Sequence, residues 1–133
     1  MASIFSRLIA GELPAYVIAE NEHFFAFLDV FPIVRGHVLV VPKVEVDRFF
    51  DVSDDLLRAW LVFAKPIALA IEKAIPCKRV GVSVIGLEVP HAHMHLVPMQ
   101  SADDLNFTRP KLQLTNEEML AIQTAIVSAM KAV

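Results

Sequence analysis

Cysteine is nearly absent. Cys77 is the one thiol in 133 residues, which excludes an intrachain disulfide and any zinc site of four cysteines, or of two cysteines and two histidines, built by this chain alone. Basic charge is scarce too. Twelve Lys and Arg stand against fifteen Asp and Glu, a formal net charge of −3, so the electrostatic footprint required by polymeric DNA or RNA is missing. No apolar stretch reaches the ~18 residues of a membrane span, because Lys65, Glu72, Glu88 and Lys131 interrupt the longest ones. The opening MASIFSRLIAGELP has no basic region followed by a long apolar run. A secretory leader is therefore not expected, and the reading is a cytoplasmic protein without a membrane partner. There is no internal repeat, low-complexity tract or Ser/Gly linker, so one domain over residues 1–133 is expected.

What is present is apolar material, 56% of the chain with a mean hydropathy of +0.54. That suffices for a core, and the excess points to surface buried between subunits, hence a homodimer. Ser3 caps an expected helix over Ile4 to Ala10, stopped by Gly11 and Pro14. Tyr16 to Ala19 and Phe24 to Leu28 read as a hairpin, and His37 to Val41 as a third strand beside them. Ser53 with Asp54 and Asp55 starts a helix running to about Ile75, with Pro66 inside it predicting a kink or a junction of two helices. Arg79 to Ile85 and His91 to Pro98 read as strands. Thr115 with Glu118 forms a capping box for a closing helix over 115–131. The order predicts an α+β domain, a mostly antiparallel five-stranded sheet with helices on one face.

Three of the five histidines are His91, His93 and His95, alternating with Ala92, Met94 and Leu96. On a strand this puts three imidazoles on one face, successive ones about 6.6 Å apart. Packing alone is a poor reason for such a row, since each ring carries a donor and an acceptor that need partners. Two chemical readings remain. A His-cluster metal site is weakened by spacing, because the first and third residues of the row lie about 13 Å apart, although His37 could substitute as a ligand. Alternatively, the middle ring is a nucleophile, since a neutral imidazole has a lone pair able to attack phosphorus.

HAHMHLVP, preceded by FAFLDVFPIVRGHVLVVPK, resembles the histidine triad (HIT) family, whose signature is HxHxHxx with apolar x. The opening SIFSRLIAGELPAYVIAENE, the D-x-x-P turn at Asp29 to Pro32 and GHVLVVPK at Gly36 to Lys43 extend the resemblance over about residues 3–99. It implies a HIT-like α+β fold whose dimer joins two five-stranded sheets into a continuous ten-stranded one. It also implies cleavage of a nucleoside monophosphate conjugate at the α-phosphate, through a nucleotidyl-histidine intermediate on His93. His91 would fix the His93 ring, and His95 and His37 would contact the phosphate or support His93, the leaving group taking its proton from within this cluster. Asp29 would hold the ribose, Leu8, Phe27, Leu28 and Val30 the base, and Ser83 would stand near the phosphate. Asp29 also fits a purely local role, capping its turn through an Asx bond. The expected ligand is a purine nucleotide or its conjugate, with no metal and no cofactor.

The sequence departs from the family's phosphoramidase branch just before the triad. Gly86-Leu87-Glu88-Val89-Pro90 replaces a longer loop bearing a Gly-Gln-Ser or Gly-Gln-Thr step, and Glu45 replaces a common histidine and reads as a solvated strand exit. Asn106 to Pro110 could place Arg109 near the phosphate of its own or a partner subunit. A non-catalytic nucleotide-binding module is the alternative, and a His-cluster metalloprotein a further one.

Overall fold

The computed structural model describes residues 2–132. Helix α1 (Ile4–Ile9) begins where the Ser3 hydroxyl accepts from the Ser6 N–H at 3.1 Å, and ends before Gly11, whose φ of +80° suits glycine. Strands β1 (Val17–Glu20) and β2 (Phe24–Leu28) form the expected hairpin, the Asn21 side chain accepting from the N–H groups of His23 and Phe24 at 2.9 and 2.8 Å. Strand β3 (Val38–Pro42) follows Gly36, where a Cβ would meet Ile75 at 2.9 Å and φ is +93°. Helix α2 (Asp54–Ala74), strands β4 (Arg79–Ser83) and β5 (Met94–Met99) and helix α3 (Asn116–Met130) complete the order.

The five strands make one sheet in the order β1-β2-β3-β5-β4, with every pairing antiparallel. Because side chains alternate along a strand, the sheet has two distinct faces. On one, Ala26, Leu28, Val38, Val40, Met94 and Leu96 pack against Trp60, Ile67, Ile71, Ile122 and Ile126 of α2 and α3. On the other, Phe25, Phe27, Leu39 and Val41 pack against Phe5 of α1. The helices therefore do not all share a face as the sequence predicts. Six residues are enough for α1 to cover one end of the second face, leaving the rest to the histidines.

Helix α2 is a single helix through Pro66, which corrects the expected alternative of two helices meeting there. Its buried stripe of Trp60, Ala64, Ile67, Ala70 and Ile71 spans the proline, and the carbonyl left without its i+4 donor belongs to exposed Val62. The triad strand starts at Met94 and not at His91. Pro90 has no N–H, and the His91 N–H turns back to the Val89 carbonyl at 2.8 Å, so the chain enters the sheet through a tight turn.

Candidate functional site

His95 opposes Leu39 on β3 and Ser83 on β4, and Leu39 opposes Phe27 on β2, so all four share the face covered by α1. His37, just ahead of β3, and His93, just ahead of β5, complete a cluster there. His37, His91, His93 and His95 are all buried. The His93 and His95 ring centroids are 5.0 Å apart, and those of His37 and His95 5.1 Å.

The hydrogen bonds fix the proton on each neutral ring. The Ile33 N–H donates to His37 Nδ1 at 3.1 Å, so the His37 proton is on Nε2, from which it is donated to His95 Nδ1 at 2.9 Å. That leaves the His95 proton on Nε2. His91 Nε2–H donates to the Pro42 carbonyl at 2.8 Å, and the Ser3 hydroxyl donates to His91 Nδ1 at 2.7 Å. His93 Nδ1–H donates to the His91 carbonyl at 2.8 Å, so the His93 lone pair is on Nε2. Trp60 Nε1 is the one fully buried, unpartnered side-chain polar atom among the described residues. The unpaired Nε2 atoms of His93 and His95 therefore reach the surface. Side by side, the site presents a nucleophilic lone pair and an N–H donor.

Burial favours the uncharged form of His37, His93 and His95. It lowers His95 from 6.5 to about 3, helped by His37, His93 and Lys111, and lowers His37 to about 4, helped by Lys111 and His93. His93 is also lowered, chiefly by burial, with its bond to the His91 backbone and the Glu88 charge opposing the shift. Burial raises Asp29, against the Phe31 N–H and Lys111.

Asp29 Oδ1 accepts from the Phe31 N–H at 2.9 Å, the Asx bond foreseen as its local role, while Oδ2 lies 3.8 Å from His37 Nε2. Leu8 packs on the Phe5–Phe27 cluster and Val30 is exposed. Leu28 is a correction: its side chain is in the core beneath α2 and α3, on the face away from the histidines, because it alternates with Phe27. Arg109 is another. It is held by Asp103 and Asp104 at 3.0 and 3.1 Å and donates to the Ile33 carbonyl at 3.2 Å, so it is engaged in tying loops together.

Asp29, His37 and His95 bring ligand atoms within 4.8 Å of one another, where His37 would ligate only by giving up a proton. The Ile33 N–H occupies His37 Nδ1 and forces the proton onto the nitrogen that would have to ligate. His91 faces Ser3 and Pro42, so the triad does not converge on one ion.

Sequence reasoning missed the residues that hold the rings. Glu45 is not merely solvated: it accepts from the Ser3 N–H at 2.6 Å and the Ser6 hydroxyl at 2.7 Å, and these donors depress its carboxyl to about 2. Ser3 in turn bonds His91. Phe5 meets His93 edge-on at 4.9 Å, and Phe107 meets His95 at 4.5 Å. Ser3 capping was legible, but its 88-residue separation from His91 left no local signal.

The HIT domain family model matches residues 10–102. An uncharacterized HIT-like protein of Saccharolobus solfataricus is 31% identical over 137 residues, covering 96% of this chain and 97% of its own. The adenosine 5′-monophosphoramidase of Saccharomyces cerevisiae is 33% identical over 102 residues, covering 73% and 62%. A crystal structure of a HIT-like protein from Bartonella henselae superposes with a TM-score of 0.82 at 25% identity, covering 96% and 95%. With its sheet, its buried histidine cluster and these similarities, the chain belongs to the HIT family.

Proposed function

We propose that the protein hydrolyses a nucleoside monophosphate conjugate at its α-phosphate, with His93 as nucleophile. The observation that carries this reading is the tautomer of His93: its Nδ1–H is committed to the His91 carbonyl, leaving Nε2 as a lone pair at the surface. In the first step Nε2 forms a bond to phosphorus, and the bond to the leaving group breaks with its electron pair. His95 Nε2–H donates a hydrogen bond to a phosphoryl oxygen, where charge is carried through the transition state. The leaving amine takes up a proton, supplied through the histidine cluster, as its bond to phosphorus breaks. Water then attacks phosphorus, and the electron pair returns to His93 Nε2. Asp29 Oδ2 serves the ribose hydroxyls, Leu8, Phe27 and Val30 bound the base, and Ser83 stands beside His95.

Similarity to a yeast adenosine 5′-monophosphoramidase makes an adenosine phosphoramidate the first substrate to try. Wild type should turn it over with chelator present, and His93→Ala should lose turnover by about a thousandfold or more while retaining AMP binding. Undiminished turnover by His93→Ala refutes the assignment. AMP binding without turnover by wild type favours a binding module, in which Glu88 has replaced the family's polar contacts.

We also propose a homodimer joined along β4. This strand is an edge with Val82 exposed, and neighbouring α2 exposes Leu61, Val62 and Leu69 on one side at helical spacing.

A further inference from the structure

A nucleotide phosphate is an anion, yet His37, His93 and His95 offer it no formal charge. The segment after β5 passes over this face of the sheet. Arg109, clamped by Asp103 and Asp104, reaches the Ile33 carbonyl, and the Leu112 N–H donates to the Pro32 carbonyl at 2.8 Å. The segment is thereby tied to the loop that carries Asp29 and leads into His37. This sets the Phe107 ring 4.5 Å from His95 and 6.1 Å from His37.

Lys111 Nζ lies 5.9 Å from the Phe107 ring centroid. It is held by two carbonyls, Phe107 at 2.5 Å and Arg109 at 3.3 Å, and no carboxylate among the described residues pairs with it. It is thus an uncompensated cation one aromatic ring away from His95. Of the Lys and Arg residues, it is the one whose charge bears on Asp29, His37 and His95 alike.

We infer that Lys111 binds the phosphate of the nucleotide in this site, with Phe107 as the pocket wall beside His95. The inference rests on the nucleotide reading above and extends it to residues beyond the matched HIT domain, which ends at 102. Rotation about its four-carbon stem lets the ammonium exchange two backbone carbonyls for phosphate oxygens. Being a point charge, it selects for an anion without fixing the leaving group.

The test is calorimetric binding of 5′-AMP and of adenosine to wild type, Lys111→Met and Lys111→Arg. Lys111 is exposed, so the variants should fold, which circular dichroism verifies. Wild type should bind AMP about tenfold or more tightly than adenosine, as expected of a charge-assisted contact. Lys111→Met should lose most of that preference through weaker AMP binding, with adenosine held as before, and Lys111→Arg should keep it. A Lys111→Met protein with the full AMP preference overturns the inference and leaves the nucleotide reading standing, as does equal binding of both ligands by wild type. Failure of wild type to bind either one overturns the nucleotide reading and the inference with it.

Discussion

The His91 carbonyl fixes the proton of His93 on Nδ1, and burial favours its neutral form. Because its folded pKa lies below 6.5, the limb of activity due to its protonation should fall below pH 6.5, with rate retained as pH drops through 6.5 and lost only further into acid. A pH profile of kcat/KM whose acidic limb sits at or above 6.5 would contradict this. Glu45→Gln should lower kcat more than it raises KM, since it loosens Ser3 and through it His91, which touch no substrate. Paired measurement of kcat and KM checks it. At this scale the motif pointed to the four histidines and Asp29, which lie on β5 or in the turns leading out of β2 and into β3 and β5. It did not disclose Glu45, Phe5, Phe107 or Lys111. Their roles depend on how α1 and the 106–112 segment cross the sheet, which no residue in those stretches announces by itself.

At the scale of elements, the caps and turns were the most legible features. The Thr115 hydroxyl accepts from the Glu118 N–H while the Glu118 carboxylate accepts from the Thr115 N–H, both at about 3 Å, as S/T-x-x-E foretells. Pro66 misled only in allowing two helices, since one helix runs through it. A helix held by a buried stripe on both sides of a proline tolerates the lost hydrogen bond, because packing outweighs local propensity. Pro66→Ala should therefore stabilise the protein, by roughly 1–3 kcal/mol, measured as a rise in the urea midpoint. A lowered midpoint would mean that the ring's own packing outweighs the lost bond. The strand boundary at Met94 was misread for a different reason. The alternation of His91 to Pro98 is real, but Pro90 and the bond from His91 to Val89 bend the first three residues out of the ladder.

Over the whole molecule, burying neutral histidines couples folding to pH. His37 and His95 have folded pKa values of about 4 and 3, below the 6.5 of the unfolded chain, so the unfolded state binds more protons between those limits. Stability should be full above about pH 6.5 and decline as pH falls toward 4. Thermal unfolding at pH 7, 6 and 5 tests this, and a flat Tm would show that the rings are solvated. The raised pKa of Asp29 acts in the opposite direction, with its effect confined to pH values above its ordinary 3.8. Sedimentation of wild type and Val82→Lys tests the β4-edge dimer, which should dissociate when charge is placed on the exposed edge. The layered α+β architecture was legible from element order, whereas the position of α1 on the opposite face was not, since a six-residue helix has too little periodicity to declare its partner.

A nucleotidyl group carried by His93 would leave its mark on the configuration at phosphorus. The most direct measurement is the stereochemical course of hydrolysis of an adenosine phosphoramidate made chiral at phosphorus with sulfur and oxygen isotopes. Two successive in-line displacements, by His93 Nε2 and then by water, predict net retention of configuration. Inversion would show a single displacement by water and would rule out His93 as nucleophile.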